Sequence, residues 1–135
     1  MIFNKIQFRV RYAETDQMSF AYHGNYVQYY EMGRIEWLRK LDISYKKMEE
    51  AGVMLPVISL NINYIKPAKY DDLLTLKTTL INNPLVKIKF EFEIHNENNE
   101  LLNTANVTLA FMDSITRKPV RAPKYLLEKI QQNTI

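Results

Sequence analysis

The stretch Arg11-Tyr12-Ala13-Glu14-Thr15-Asp16-Gln17-Met18-Ser19-Phe20-Ala21-Tyr22-His23-Gly24-Asn25-Tyr26 gathers the side chains of this sequence best able to do chemistry. Two carboxylates, Glu14 and Asp16, and one imidazole, His23, fall within ten residues. A carboxylate can attack an electrophilic carbon or take a proton from water. An Asp in a loop also serves commonly as a turn former or helix cap, so residue type alone leaves both roles open for Asp16. One pair of neighbouring carboxylates does not establish an acid–base couple. His23 and His95 lie far apart and give no His-x-x-x-His spacing, so no metal site is expected. His95 falls on the polar side of an alternating segment and reads as plain surface. The chain has no cysteine, which removes disulfides, thiolate metal sites and cysteine nucleophiles. There is no glycine-rich phosphate loop, and Tyr22, Tyr26, Tyr29 and Tyr30 read as core and pocket wall rather than a stacking platform for bases.

Loops hold function when a rigid scaffold positions them, and the flanking segments supply one. Val86 to His95 alternates without a break, with every even position apolar and every odd one polar, the period of a half-buried strand. Ile6, Phe8, Val10 and Tyr12 repeat the pattern, as do Ile58, Leu60, Ile62 and Tyr64. Leu74, Leu76 and Leu80 form a weaker version, and Ala105, Val107, Leu109 and Phe111 another. Asn82-Asn83-Pro84 and Asn96 to Glu100 read as turns between antiparallel neighbours, and Pro67 ends or bends a strand. A long helix is expected over Asn25–Leu41, where Tyr26, Tyr30, Gly33, Trp37 and Leu41 recur at helical spacing and Val27, Ile35 and Leu38 widen the stripe. Asn25 with Gln28 resembles a capping box. A short helix from Ser44 to Ala51 would end at Gly52, and another would follow Pro123 with Tyr125, Leu126 and Ile130 on one side. The expected order is a strand, the long helix, four strands in a meander and a closing helix. That is an α+β domain spanning residues 1–135.

The loop and its surroundings resemble the family that includes 4-hydroxybenzoyl-CoA thioesterase and the Tol-Pal-linked acyl-CoA thioesterases. The likeness rests on Thr15-Asp16, Tyr22-His23 and Asn25-Tyr26, with Tyr30-Glu31 and Arg34 along the helix. It continues through Asn63-Tyr64, Pro67-Ala68, Asp71 and Arg117 to Pro123. It implies a hot-dog fold, an antiparallel sheet of about five strands wrapped around one long helix. It further implies hydrolysis of an acyl-CoA, or an acyl-carrier-protein, thioester. Asp16 matches the catalytic carboxylate, as nucleophile or general base, and His23 the position whose backbone N–H points at the thioester oxygen. Tyr22, Gly24, Tyr26 and Ser59 are then expected beside the substrate, with Lys66, Arg117, Lys118 and Arg121 near the phosphates of coenzyme A. No cofactor is implied, since coenzyme A arrives as part of the substrate. The sequence departs from the family pattern at Ser19 and Phe20, where a glycine and a β-branched residue are usual. Serine avoids backbone conformations that glycine reaches, and Phe20 would reshape the acyl pocket.

Composition bounds the remaining options. The 135 residues are 47% hydrophobic and 24% charged, with three glycines and five prolines, which suits one globular domain. The net charge of +3 does not single out nucleic acid. No run approaches the ~20 apolar residues of a membrane span, and residues 1–5 do not read as a signal peptide, so a cytoplasmic protein is expected. A hot-dog dehydratase would need a catalytic histidine on the long helix, and His23 precedes it. A non-catalytic acyl-CoA or acyl-carrier-protein binding module is the alternative to the enzyme. An open sheet also leaves edge groups unpaired, so a homo-oligomer, dimer or tetramer, is expected. The resemblance further implies an active site between two subunits, with Asp16 of one chain facing the Ser59–Tyr64 strand of another.

Overall fold

The strictest alternation in the sequence becomes the middle strand of the sheet. The computed structural model describes residues 2–134. In chain order the elements are β1 (Phe3–Arg9), a single 3-10 turn (Tyr12–Glu14), α1 (Asn25–Lys40), α2 (Tyr45–Glu50), β2 (Val53–Met54), β3 (Val57–Tyr64), β4 (Leu73–Leu80), β5 (Lys87–His95), β6 (Leu101–Ala110), β7 (Met112–Asp113) and α3 (Lys124–Asn133). Along β5, Ile88, Phe90, Phe92 and Ile94 are buried and the intervening residues face outward. The five long strands pair antiparallel in the order β1-β4-β5-β6-β3, and β2 pairs with β7.

Only β4, β5 and β6 form a meander, which corrects the expected run of four. β3 lies on the far edge beside β6, and β4 takes β1 as its other neighbour. The segment after β3 does not turn back as a hairpin. Its Ile65 and Lys66 N–H groups both donate to Leu102 O, and Ala68 O accepts from Ala21 N–H, so it crosses the end of the sheet past the start of α1. The turn expectations hold: Asn82 Oδ1 accepts from Lys89 N–H, and Asn96 Oδ1 accepts from Asn98 and Glu100 N–H.

α1 covers the apolar face of the sheet with Tyr26, Tyr29, Tyr30, Trp37 and Leu38, all buried. Tyr30 packs on Phe92 with ring centroids 4.6 Å apart and Trp37 on Phe90 at 4.9 Å. Burial of each such ring stabilises the fold by about 1.5–3 kcal/mol. Gly33 sets the depth of the helix, since a Cβ there would lie 2.7 Å from both Leu76 Cδ2 and Thr78 Oγ1. Val27 faces outward, contrary to its expected place on the stripe. Asn25 is the first helical residue and not its cap. Its Nδ2 donates instead to Glu14 O at 2.7 Å. Ser44 caps α2 by accepting from Lys47 N–H, and Gly52 follows with φ +97°. Leu126 and Ile130 anchor α3 while Tyr125 faces solvent. Tyr12, expected to end the first strand, stands exposed in the 3-10 turn.

Candidate active site

The Arg11–Gly24 loop is held by backbone pairing at both flanks. Val10 N–H donates to Asp72 O, Asp71 N–H to Val10 O, and Ala21 N–H to Ala68 O. Thr15 and Ala21 form an isolated bridge, so residues 15–21 close into a small hairpin with Asp16 just inside it. Asp16 N–H donates to Phe20 O at 2.8 Å, and Ser19 N–H to Asp16 O at 3.0 Å. The carboxylate joins in, because Asp16 Oδ1 accepts from Met18 N–H at 2.9 Å and Phe20 N–H at 3.2 Å. Among the described residues no donor is recorded on Oδ2. Among the described residues the turn-forming bonds of the Asp16 carboxylate therefore engage Oδ1 alone.

Ser19 adopts φ +65°, the left-handed conformation that favours glycine. This is the position where the family pattern has glycine, and here the chain accepts the strain with a serine.

The loop delivers His23 and Gly24 to the start of α1, whose N-terminal end carries partial positive charge. Among the described residues neither His23 N–H nor Gly24 N–H has a recorded acceptor. His23 O accepts from Tyr64 Oη at 2.9 Å, which fixes the peptide from the sheet side. Gly24 allows the Tyr22 ring to fold over it, since a Cβ there would meet Tyr22 Cε2 at 2.8 Å. The Tyr22 ring also lies against His23, with centroids 4.3 Å apart.

A cavity of about 370 Å³ opens here, lined by Asp16, Met18, Phe20, Ala21, His23, Tyr26, Tyr64, Ile65, Lys66 and Pro67. It brings together four of the expected residues: Asp16, His23, Tyr26 and Lys66. Lys66 Nζ also pairs with Glu100 Oε2 at 2.8 Å. Sequence reasoning did not single out Met18, Ile65 or Tyr64 as lining, because the crossing of residues 65–72 is a tertiary event. Asp16 also borders a second depression with Tyr12, Thr15, Gln17 and Ser19.

Arg117, Lys118 and Arg121 are not part of this cavity. Tyr64, beside His23, pairs with Asn103 near the start of β6, whereas the basic residues follow its end at Ala110. Seven residues of strand separate these points, about 23 Å at ~3.3 Å per residue. Ser59 is likewise remote, on the outward face of β3 opposite Thr108. The neighbouring amides are not idle there. Asn61 Nδ2 donates to Asn106 Oδ1 and Asn63 Nδ2 to Thr104 Oγ1.

Glu14 sits outside the cavity, facing another depression with Phe8, Arg11 and Tyr29. Burial pushes its carboxyl pKa up, but hydrogen bonds from Arg11 and Tyr29 outweigh this and hold it below the ordinary carboxylate value. Burial, and then the Glu14 charge, push the Tyr29 hydroxyl up. Among the described residues no group of three or more His, Cys, Asp or Glu could hold a metal ion. No described helix is long and apolar enough to cross a membrane.

A five-stranded antiparallel sheet packed on one long helix is the architecture of the hot-dog fold. The profile of the thioesterase-like superfamily matches residues 10–130, and the chain belongs to that family. It is similar to the acyl-CoA thioester hydrolase YbgC of Escherichia coli, 32% identical over 124 residues, covering 92% of each chain. The acyl-CoA thioesterase YbgC of Haemophilus influenzae is 35% identical over 117 residues, covering 86% of this chain and 85% of the relative. Among solved structures, the DHNA-CoA thioesterase from Staphylococcus aureus superposes with a TM-score of 0.92 at 35% identity, covering 98% of this chain and 91% of that one. These relatives favour an enzyme over the non-catalytic binding module.

Proposed function

We propose that this chain hydrolyses acyl-CoA thioesters, with Asp16 as the catalytic carboxylate and the His23 N–H as oxyanion donor. The observation that carries the reading is that one cavity is lined by both Asp16, whose Oδ2 has no donor among the described residues, and His23, just before α1, whose N–H has no acceptor among them. A thioester carbonyl is already electrophilic and its thiolate leaves readily. Asp16 Oδ2 can attack the carbonyl carbon, expelling the thiolate of coenzyme A and leaving an acyl–aspartyl anhydride that water opens. It can equally take a proton from water as that water attacks. Either route places negative charge on the carbonyl oxygen, where a preorganised N–H stabilises it by roughly 3 kcal/mol. No cofactor enters either route. The acyl group would lie against Phe20, Tyr26, Tyr64 and Ile65. The S. aureus relative is named for DHNA-CoA, so that thioester belongs in the substrate panel beside short and long straight chains. A cytoplasmic location is part of the same reading.

The working unit in this proposal is a homodimer joined along β3, or a tetramer built from such dimers. β3 is an edge strand on which Val57, Ile58 and Tyr64 are exposed. Antiparallel pairing of two β3 edges would set the Val57 end of one chain beside the Tyr64 end of the other. That would carry the partner's Arg117–Arg121 segment toward this chain's Asp16, where phosphates of coenzyme A could meet it.

The test is thiol release from the acyl-CoA panel by the wild type and Asp16→Asn. Turnover of the variant is expected to fall about 100-fold or more, near 2.7 kcal/mol in barrier. A loss under tenfold would remove Asp16 from the chemistry. A second arm mixes Asp16→Asn chains with chains charge-reversed at Arg117, Lys118 and Arg121. Each homodimer should be impaired, and a mixed dimer should regain one competent site. No regain would show that the site is not shared.

A further inference from the structure

We infer that Glu14 is a positioning residue for the reaction, fixing the Asp16 carboxylate and the His23 N–H at one separation. The inference rests on the thioesterase reading above. Every acceptor of Glu14 is taken. Oε1 accepts from Arg11 N–H at 2.9 Å and from the Tyr29 hydroxyl at 3.0 Å. Oε2 accepts from Arg11 Nε at 3.0 Å and Nη2 at 2.8 Å. The backbone oxygen accepts from Tyr22 N–H at 2.8 Å and from Asn25 Nδ2 at 2.7 Å.

The location of these donors matters more than their number. Tyr22 directly precedes His23, Asn25 is the first residue of α1, and Tyr29 lies one turn further along the same helix. Glu14 itself stands two residues before Asp16. One residue thus joins the strand leading to the carboxylate with the segment presenting the N–H. Within the hairpin, the Thr15–Ala21 bridge and the Asp16 Oδ1 bonds hold Asp16 rigidly, but they fix it only relative to residues 15–21. The hairpin is tied to the helix through Glu14, and to the crossing segment through the Ala21–Ala68 and Tyr70–Ser19 bonds and the Phe20–Lys69 bridge. A bidentate guanidinium–carboxylate pair resists rotation better than a single hydrogen bond. The Glu14 side chain is only 13% exposed and does not line the Asp16 cavity, so it acts through the groups it holds and not by touching the substrate. Misplacement of a reacting group by about 1 Å can cost ~100-fold in rate.

The experiment compares Glu14→Gln with wild type, in the native background and in the Asp16→Asn background. Each protein is assayed by thiol release with excess enzyme, and binding of a non-hydrolysable acyl-CoA thioether is measured by calorimetry. In the native background kcat is expected to fall about tenfold or more, with KM and the thioether Kd within about threefold. In the Asp16→Asn background the same change should cost less than about twofold, because the group being positioned is already gone. Tyr29→Phe, which spares the Arg11 clamp, should lower kcat several-fold in the same sense. An unchanged kcat, a loss confined to KM, or an equal loss in both backgrounds would each overturn the positioning role. If Glu14→Gln does not fold, Tyr29→Phe decides by the same comparison in both backgrounds. Failure of the thioesterase reading is seen separately, in the wild type releasing no thiol from any acyl-CoA of the panel, and failure of the Asp16 assignment in Asp16→Asn retaining turnover.

Discussion

The two ends of α1 are built to opposite specifications. At its C-terminal end Trp37, Leu38 and Leu41 pack with Ile43 and Met48, all buried, and the Trp37 ring meets Phe90 edge-on. The polar atom of the Trp37 ring, Nε1, donates to Ile2 O at 3.3 Å. At the N-terminal end the packing stops at Tyr26, and His23, Gly24 and the tip of the Asp16 loop are exposed, with an N–H left open. Burial is concentrated at one end of the helix and exposed polar groups at the other, where the proposed reaction would take place. The helix joins the two, and the comparison holds only if each end keeps its role when the other is altered.

Trp37→Ala is the strongest way to break that division. Removing the ring should destabilise the fold by about 3–5 kcal/mol, through lost burial and the cavity it leaves. Chemical denaturation measures the loss. At a temperature where the variant remains folded, kcat per folded molecule should stay within about threefold of wild type. A parallel collapse of kcat would mean that the lower core sets the site geometry, and the two ends would not be separable.

The open end is probed by asking which part of His23 matters. His23→Ala keeps the backbone N–H and should cost little in kcat. His23→Pro removes that N–H, and should cost about 100-fold, roughly 2.7 kcal/mol, the effect of losing one oxyanion donor. Position 23 precedes the first helical residue, where proline is tolerated by a helix. Far-ultraviolet circular dichroism and a denaturation curve check that the variant folds. Equal kcat in the two variants would exclude the backbone donor and shift attention to Gly24.

How much of this could be read from the sequence depends on whether the deciding contact was local. β5 and β3 show the limit well. Both alternate cleanly, yet β5 has a neighbour on each side and buries four apolar residues, while β3 sits on an edge and leaves Val57, Ile58 and Tyr64 exposed. Periodicity marks a strand but not its place in the sheet, so the meander was drawn one strand too long. Val27 joined the predicted stripe because helical spacing gives a direction, whereas the width of the buried stripe depends on what packs over it. Asn25 had the right type for a cap, but Glu14 O offered its amide a tertiary acceptor. Asp16 and His23 stand out in the sequence because their spacing matches a family pattern, and the structure places both on one cavity. The three-residue spacing of Arg11 and Glu14 was visible too, but nothing local pointed to Tyr29, and that bond gives the pair its reach onto the helix. The remoteness of Arg117 from Asp16 follows from strand direction and was beyond any local rule.

The smallest expected effect sharpens the comparison at the loop itself. Ser19 holds φ +65° and lines a depression with Asp16, so its strain lies beside the carboxylate. A left-handed non-glycine residue costs about 1–2 kcal/mol. Glycine would relieve this, but it gives back part of the gain by adding about 0.4–1 kcal/mol of freedom to the unfolded chain. Ser19→Gly should therefore stabilise the protein by only about 0.5–1 kcal/mol, a rise of about 2–4 °C in Tm. The backbone bonds from Ser19 N–H to Asp16 O and from Tyr70 N–H to Ser19 O do not involve the side chain, so the hairpin should keep its shape. Calorimetry reads the stability and thiol release reads kcat, which should stay within about twofold. If Tm rises while kcat falls, the strain at Ser19 contributes to presenting Asp16, and the reactive end of α1 is tensioned as well as open. If Tm falls, the serine makes a compensating interaction and the loop is not strained.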